Sequence, residues 1–293
     1  MAGAGLRDTR RRIRSVEATK KITRAMELIA AARIPKAQAR VVASQPYSQK
    51  LIEVIRNVGG AAGAASHPLL ERREIRRVGV IVVSSDRGLA GAYATNIIRM
   101  AEKAIIEHIA AGRQVALYVV GKKAQAYFRY RNYDIKYAYL AVTDTPGYGD
   151  ARAIANTVME AYASGEIDAV EAFYTRYKSA MTQVPSGVAL LPLTPPDRAD
   201  GTTANVTYSY EPSPGEILSR ILPRYIEASV YNMLLEASAS EHSARRRAMK
   251  AATDNAEELI RLLRVQANRA RQAEITTAIT EIVGGAEALA SDS

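Results

Sequence analysis

Apolar and small side chains recur at alternating steps of four and three residues along the C-terminal quarter of the chain. From Arg224 to Val283, sixty residues pass without a glycine or a proline. A helix of that length spans roughly 90 Å at 1.5 Å per residue, whereas a compact globule of this chain length is roughly 50 Å across. The pattern therefore predicts a terminal helix that projects beyond any domain to which it belongs.

The C-terminal seam contains many small and some polar residues, which is typical of a two-helix coiled coil. The predicted seam positions are Tyr225, Ala228, Asn232, Leu235, Ala239, His242, Arg246, Met249, Thr253, Ala256, Ile260, Leu263, Ala267 and Ala270. The stretch 6–34 also lacks glycine and proline. Its predicted seam is Ala18, Ile22, Ala25, Ile29 and Ala32, preceded by Leu6, Ile13 and Val16 in a shifted register. We therefore predict that the two terminal helices pair in antiparallel orientation.

Glycine, proline and capping residues predict where these helices begin, end and bend. Ser213-Pro214-Gly215-Glu216 has the pattern of a capping box, and Gly284-Gly285 is the predicted end of the long helix. Pro223 is expected to kink or split that helix, and Pro35 to bend the first one. The predicted domains are an N-terminal helix (1–58), an α/β globular domain (67–212) and a C-terminal helix (213–293), with the Gly- and Ala-rich segment 59–66 as a flexible joint.

The middle of the chain alternates short apolar runs with helical patterns. Strands are predicted at 78–84, 115–120, 135–142, 169–177, 188–193 and 205–210, and helices at 96–111, 122–130 and 151–164. Such alternation favours an open, largely parallel sheet covered on both faces. The predicted fold class is α/β: a Rossmann-like open-sheet domain with a long antiparallel coiled coil of the terminal helices.

Composition excludes several kinds of site. The chain has no cysteine, and its three histidines stand apart in the sequence, so we expect no disulfide, no metal site and no cofactor. No run of eighteen apolar residues occurs, and the basic N-terminus lacks an apolar core, so we expect neither a membrane span nor a signal peptide.

The net charge of +10 is concentrated at the N-terminus. Residues 1–58 hold thirteen basic and four acidic side chains, a net charge of +9, whereas 216–293 hold ten and eleven. Such a helix is either a solvated face or a surface for nucleic acid, anionic lipid or an acidic protein. Aromatic and amide base-reading side chains are missing from it, so an acidic protein is the favoured partner and nucleic acid is not expected.

One segment, Ser84 to Tyr93 (SSDRGLAGAY), runs from a predicted strand through a Gly-rich turn into a helix. It is interpreted as a tight turn, a protein contact or a phosphate site. The phosphate reading is the least favoured, because G-x-x-G lacks both the following Gly-Lys-Ser/Thr and an acidic ribose ligand. If the segment is a tight turn, Asp86 and Arg87 need structural roles, for example a helix cap and an ion pair. No catalytic constellation is evident elsewhere in the sequence.

Several stretches resemble the gamma subunit of F-type ATP synthases along the whole chain. They are KKITRAMELIAAARIPKAQARVVASQPYS (20–48), VVSSDRGLAGAY (82–93), YSYEP (208–212), RRRAMKAATDNAEELI (245–260) and NRARQAEITTAITEIVGGA (268–286). The resemblance implies a non-catalytic rotor shaft that couples ion flow through a ring of c subunits to ATP synthesis or hydrolysis on the beta subunits. It also implies alpha, beta and epsilon subunits as partners, and a peripheral location on the cytoplasmic face of a bacterial plasma membrane.

The resemblance also implies roles for individual residues. Lys20, Lys21, Arg24 and Met26 match the segment that meets the beta levers, although Met26 also suits plain coiled-coil packing. The positions that meet beta catch loops are matched by Arg271, Gln272 and Thr276, although these residues also suit an exposed rod surface. An apolar stripe for an apolar collar is formed by Ile275, Ile279, Ile282, Val283 and Ala286. Tyr210 and Glu211 match a site near the c-ring, and Asp86, Arg87, Gly88 and Gly91 match the junction of shaft and body. Ala90 stands where many members have cysteine.

Two other classes of function stay open at this point. One is a non-catalytic coiled-coil adaptor for a different acidic partner, and the other is a nucleotide-binding enzyme.

Overall fold

A computed structural model describes residues 2–59, 67–193 and 213–291. Its helices and strands, in chain order, are α1 (Ala2–Gly59), a 3₁₀ turn (Pro68–Leu70), β1 (Arg77–Val83), α2 (Tyr93–Ala110), β2 (Gln114–Val120), α3 (Lys122–Tyr130), β3 (Ile135–Tyr139), α4 (Tyr148–Ala163), β4 (Ala169–Tyr177), β5 (Gln183–Leu191) and α5 (Pro214–Ser291). The chain divides into two units. One combines residues 1–29 with 246–293, and the other spans 30–245. The predicted domain boundaries at 58 and 213 stay a prediction.

The unit 30–245 contains a five-stranded sheet in the order β3-β2-β1-β4-β5. The first four of these strands run parallel, and β5 runs antiparallel to β4. The strands β1 and β2 are nearly continuous apolar runs, as strands buried on both faces of a parallel sheet must be. The predicted α/β fold class is confirmed.

Helices cover both faces of the sheet. Alternate side chains such as Ile81 and Tyr118 face α4 and the body segments of α1 and α5, which are the parts of these two helices within residues 30–245. Leu222 of α5 is fully buried there. The intervening side chains, among them Val80, face α2 and α3, where Phe128 is fully buried. The sheet is therefore the middle layer of a three-layer unit.

The predicted elements of the sheet are largely confirmed. The strand 169–177 and the helix 122–130 have the predicted bounds. Four other elements start one to three residues earlier than predicted, and the strand predicted at 135–142 ends at Tyr139. The predicted strand 188–193 instead begins at Gln183, since pairing with β4 extends it through Pro185 and Gly187. The strand predicted at 205–210 and the joint at 59–66 lie essentially outside the described residues.

The long C-terminal helix begins as predicted and ends later than predicted. The backbone N–H of Glu216 donates to Ser213 Oγ at 3.3 Å, which caps the first turn. The helix continues through Pro223 and through Gly284-Gly285 to Ser291, so the predicted end at the glycine pair was wrong. Glycine costs only about 1 kcal/mol in a helix relative to alanine, and the alanine-rich sequence beyond the pair favours continuation.

The helix α1 is likewise continuous through Pro35 and Pro46. Neither proline ends it, and the bend expected at Pro35 stays a prediction.

In the unit formed by 1–29 and 246–293, the helices α1 and α5 run antiparallel. Thr23 contacts Thr253, and Glu17, six residues earlier, contacts Arg264, eleven residues later. On α5 the predicted seam is confirmed at Met249, Thr253, Ala256, Ile260, Leu263 and Ala267, which are all buried, but Arg246 is exposed.

The predicted seam of α1 was wrong. Ile22 and Ile29 are 61% and 56% exposed, whereas Thr23 and Ala30 are 8% and 1% exposed. The shifted register that starts at Leu6, Ile13 and Val16 in fact continues through Thr23. The prediction preferred isoleucine to threonine at the buried position, but the hydroxyl of Thr23 is hydrogen-bonded there and so can be buried at little cost.

Candidate functional site

A groove of about 920 Å³ lies between α1 and α5 in the unit 1–29 with 246–293. Its apolar lining is Ala25, Leu28, Ile260 and Val265, and its polar lining is Glu17, Lys20, Lys21, Arg24, Glu257, Arg261, Arg264 and Asn268. Five cations and two carboxylates give this lining a net charge of +3. The groove therefore combines an apolar floor with a predominantly basic rim.

Ion pairs fix most of the basic rim. Across the helices, Lys20 Nζ lies 3.1 Å from Glu257 Oε1, and Arg264 Nη2 lies 2.9 Å from Glu17 Oε1. Along the helices, Arg24 pairs with Glu27 at 2.8 Å, and Arg261 pairs with Glu258 at 2.7 Å. The hydrogen bond from Arg261 lowers the pKa of Glu258.

Lys21 is the groove cation for which the salt bridges of the described ranges show no carboxylate partner. It is exposed. Its ammonium group is therefore available for an acidic group from outside the chain.

Three of the four residues predicted to meet a lever segment, Lys20, Lys21 and Arg24, lie together in this groove. Met26 is half-buried beside the seam and is not part of the lining. Sequence reasoning missed the contribution of α5, chiefly Arg261 and Arg264. The signal was present, because these residues flank the seam position Leu263, but finding it required knowing which turn of α1 lies opposite.

The residues predicted for the catch loops and collar lie further along α5 and face outward. Arg271, Gln272 and Thr276 are exposed, and the Thr276 hydroxyl donates to the carbonyl of Gln272 at 3.0 Å. The stripe residues Ile275, Ile279, Ile282 and Val283 are 52%, 56%, 72% and 52% exposed.

The pairing of Thr23 with Thr253 explains why the stripe is exposed. In an antiparallel pair with that register, the first residue of α1, Ala2, is level with Glu274. The stripe begins just after this level. It consequently has no α1 residues opposite it.

In the unit 30–245, Asp86 joins three segments at the carboxyl ends of the strands. Its carboxylate accepts from the backbone N–H groups of Lys122, Ala141 and Thr143 at 3.0 to 3.1 Å and from the Thr143 hydroxyl at 2.9 Å. Burial alone would raise the pKa of Asp86, but these hydrogen bonds outweigh burial and the pKa is lowered. The predicted helix cap is confirmed, since Lys122 is the first residue of α3.

The remaining junction residues form the turn between β1 and α2. Leu89 and Gly91 have φ values of 62° and 59°, in the left-handed region, as a tight strand-to-helix turn requires. Arg87 is exposed, and the salt bridges of the described ranges do not include it, so its predicted ion pair is not seen there. The Gly88 carbonyl accepts from Arg245 of α5 at 3.4 Å.

The body segment of α5 fills the crevice at the carboxyl ends of β1 and β4. In open α/β sheets this crevice, where the chain changes from one face to the other, is the usual ligand site. Here the Tyr93 hydroxyl donates to the carbonyl of Ala237 at 3.0 Å, and Ser240 Oγ donates to the carbonyl of Thr175 at 3.1 Å. The crevice thus holds a helix of the same chain.

Two ion pairs lie around this crevice, one partly exposed and one buried. Arg33 of α1 donates to both carboxylate oxygens of Asp144 at 2.6 and 2.5 Å, and the carbonyl of Asp144 accepts from Ser238 of α5 at 3.1 Å. Glu241 and Arg245 form a buried ion pair one turn apart on α5. Burial raises the pKa of Glu241, although the charge and hydrogen bond of Arg245 oppose that shift.

Tyr210 and Glu211 lie outside the described residues, so their predicted place near a c-ring stays a prediction. Within the described ranges, no three acidic or histidine side chains gather closely enough to hold a metal ion. No helix in the part of the chain that the structure describes is both long enough and apolar enough to cross a membrane.

Comparison with solved structures supports the fold. A chain from the central stalk and c-ring structure of the Tetrahymena thermophila mitochondrial ATP synthase is 23% identical with a TM-score of 0.60, covering 79% of this chain and 99% of its own. A chain of the Euglena gracilis mitochondrial ATP synthase is 16% identical with a TM-score of 0.68, covering 98% and 95%.

Comparison with known sequences identifies the family. A family model described as ATP synthase matches residues 5–289. The ATP synthase gamma chain of Kineococcus radiotolerans is 47% identical over 99% of this chain and 98% of its own, and that of Acidothermus cellulolyticus is 47% identical over 98% of each. The gamma chain of Desulfitobacterium hafniense is 44% identical over 98% of this chain and 99% of its own. The resemblance predicted from the sequence motifs is confirmed, and the chain belongs to the ATP synthase gamma chain family.

Proposed function

We propose that this chain is the rotor shaft of a bacterial F-type ATP synthase and that it couples ion flow through the c-ring to ATP synthesis or hydrolysis on the beta subunits. The observation that carries the proposal is family membership over nearly the full chain, together with a groove and an exposed apolar stripe where the family resemblance requires partner contacts. A coiled-coil adaptor for a different acidic protein is not favoured, since the relatives share the whole length of the chain.

The groove is the proposed contact for the acidic levers of beta. An apolar floor with a net charge of +3 at its rim complements a segment that has acidic and apolar side chains on one face. Each exposed ion pair contributes only about 0 to 1 kcal/mol, so charge guides the contact and packing against Leu28 and Val265 carries most of the force. As the groove turns with the shaft, each beta subunit meets a different face of it.

The exposed stripe is the proposed bearing surface. Four large aliphatic side chains between Ile275 and Val283 have no partner from α1 at their level. Exposed aliphatic side chains grouped in this way favour association with another apolar surface. A smooth apolar collar can cover them without fixing the rotational position of the stripe. The proposed polar contacts with the catch loops are Arg271, Gln272 and Thr276, which are exposed near Ile275, where the stripe begins.

The chain itself is proposed to be non-catalytic. In the unit 30–245, the crevice that would hold a nucleotide is filled by α5, which hydrogen-bonds to Tyr93 and to the carbonyl of Thr175. Calorimetry of the isolated chain with ATP is expected to give no saturable heat. A micromolar binding isotherm would contradict this part of the proposal.

Epsilon and the c-ring are proposed to bind the α/β unit, and alpha and beta to surround the helical pair. The complex is proposed to lie at the cytoplasmic face of the plasma membrane and to reach the membrane through the c-ring.

Co-purification tests the rotor function. The full chain, expressed with alpha and beta, should yield a stable complex that hydrolyses ATP. Deletion of 268–293 removes the stripe and the proposed catch-loop residues, and should abolish or uncouple that hydrolysis. Unchanged assembly and coupling after this deletion would contradict the rotor model.

A charge reversal tests the groove. Lys21→Glu breaks no ion pair described above, so its effect reports on the partner. We expect the ratio of ions pumped to ATP hydrolysed to fall about two- to fivefold, which corresponds to loss of one exposed pair. The matched control is Lys36→Glu, which is also an exposed lysine of α1 outside the salt bridges of the described residues, but lies in the other unit. Equal effects of the two variants would remove the groove from the mechanism.

A further inference from the structure

The hydrogen bond between Thr23 and Thr253 is a polar contact in a seam whose α5 side is otherwise made of apolar residues. The two hydroxyl oxygens lie 2.8 Å apart, and the residues are 8% and 6% exposed. Each hydroxyl also lies near a carbonyl of its own helix, Lys20 at 3.1 Å and Met249 at 2.8 Å. Whichever hydroxyl donates across the seam, the other has a backbone acceptor.

The apolar part of the seam discriminates poorly between registers. The α1 seam follows a heptad, so a slip by seven residues replaces Thr23 by Val16 or Ala30 opposite Thr253. Thr23 itself would then face Arg246 or Ile260, respectively. In the second case the residues brought opposite the two threonines, Ala30 and Ile260, are both aliphatic, so the side chains of the seam oppose this slip only weakly.

The hydrogen bond does discriminate between them. The slip that brings Ala30 and Ile260 opposite the two threonines leaves both hydroxyls facing aliphatic groups and loses their mutual bond. One polar contact inside an apolar seam is a known means of fixing coiled-coil register. The flanking pairs Lys20–Glu257 and Glu17–Arg264 oppose the slip less, because they are partly exposed.

We infer that the Thr23–Thr253 bond fixes the axial register of α1 against α5 within the unit 1–29 with 246–293, and thereby assembles the groove from its two halves. A one-heptad slip displaces the helices by roughly 10.5 Å. That displacement would move Lys21 and Arg24 of α1 away from Arg261 and Arg264 of α5. Thr23 and Thr253 are therefore positioning residues, and their importance for coupling rests on the proposed rotor function.

Disulfide trapping measures the register directly, because the chain contains no cysteine of its own. In the observed register Val16 faces Ile260, so a V16C/I260C chain should cross-link and a V16C/A267C chain should do so poorly. In the T23V/T253V background, we expect the ratio of shifted to in-register product in the full-length chain to rise about fivefold, as for loss of one hydrogen bond. T23S/T253S keeps both hydroxyls and should behave as the parent.

Two results would overturn the inference. One is an unchanged cross-linking ratio in the valine variants, and the other is a serine variant that slips as much as the valine variant. If T23V/T253V loses helicity, the single T23V chain and the serine chain decide the question. The single change leaves Thr253 bonded to the carbonyl of Met249, so it creates no unpaired buried group.

A second measurement separates this inference from the proposed function. In the assembled complex, T23V/T253V should lower the ions pumped per ATP hydrolysed without changing the melting temperature of the complex, a change that a purely structural role does not produce. A shifted register with unchanged coupling would refute the role of the groove and leave the register assignment standing. An unshifted register would refute the assignment itself.

Discussion

Replacing Arg245 with alanine isolates the energetic cost of a buried charge in the unit 30–245. The side chains of Glu241 and Arg245 are 1% and 8% exposed, and they form an ion pair on one face of α5. Glu241 Oε2 has no hydrogen-bond partner among the described residues, so Arg245 is the main compensation for this carboxylate. Removing one partner of a buried pair costs about 3–5 kcal/mol, because the other charge is left uncompensated.

The expected loss is large compared with the total stability of a domain, which is about 5–15 kcal/mol. It depends on pH in a defined direction. Burial raises the pKa of Glu241, and Arg245 restrains that rise, so Arg245→Ala should raise the pKa further. A raised carboxyl pKa contributes stability below the unfolded value, near 4.5, and that contribution is lost as pH rises through the folded pKa. The deficit of the variant should therefore be smallest near pH 4 and grow toward neutrality.

Tyrosine fluorescence during urea unfolding reports on the unit 30–245, which contains the Glu241–Arg245 pair. The chain has no tryptophan, and all sixteen of its tyrosines lie between residues 30 and 245. The matched control is Lys103→Ala, which breaks an exposed pair of the same i, i+4 spacing on α2 and should cost less than about 0.5 kcal/mol. An Arg245→Ala chain within about 1 kcal/mol of the parent at pH 7, or a deficit that shrinks as pH rises, would refute the reasoning.

The same fluorescence assay checks three further predictions. Ile105→Ala, at a fully buried position on α2, should lower the free energy of unfolding by about 2–5 kcal/mol. Ile106→Ala, at the neighbouring 51% exposed position, should change it by less than about 0.5 kcal/mol, and similar losses for both would contradict the packing of α2. Gly121→Ala should destabilise the chain by about 2 kcal/mol or more, because φ is +97° and the new Cβ would lie 2.9 Å from the backbone of Ser85. At Gly149 a new Cβ would meet nothing within 4 Å, so Gly149→Ala should be neutral or stabilising. Asp86→Asn should lose stability at neutral pH, and the difference from the parent should diminish as pH falls below the ordinary carboxyl range, since the pKa of Asp86 is lowered; a difference that grows in acid would contradict this.

Most elements of the sheet were predictable because their sequence signals are local. The run VGVIVV in β1 is apolar on both faces, and the helix between Lys122 and Tyr130 directly follows a glycine. Asp86 was also predictable as a cap, because an acidic side chain after a strand commonly accepts from the start of a neighbouring helix. What the sequence did not reveal is which helix start it would reach, since that depends on the order of the strands.

The α1 seam was not predictable from hydrophobicity alone. Ile22 and Thr23 are neighbours, and every transfer scale puts the isoleucine inside. The structure buries Thr23 because its hydroxyl bonds to Thr253, more than two hundred residues away in the sequence. The groove was missed for the same reason, since two of its five cations come from α5 and only the long-range register brings Arg261 near Lys21.

The exposure of Ile22 and Leu28 is consistent with a partner-binding function. If the seam had used the isoleucines, α1 would present threonine and small residues outward, and the pair would be a self-contained coiled coil. Instead, threonine takes the interior, where a hydrogen bond satisfies it, and large aliphatic side chains remain outside, 61% and 55% exposed. Leu28 forms part of the groove floor. The sequence therefore gives up some intramolecular burial and keeps apolar surface on a helical pair that carries a basic rim, which is the distribution expected of a shaft that packs against successive partners.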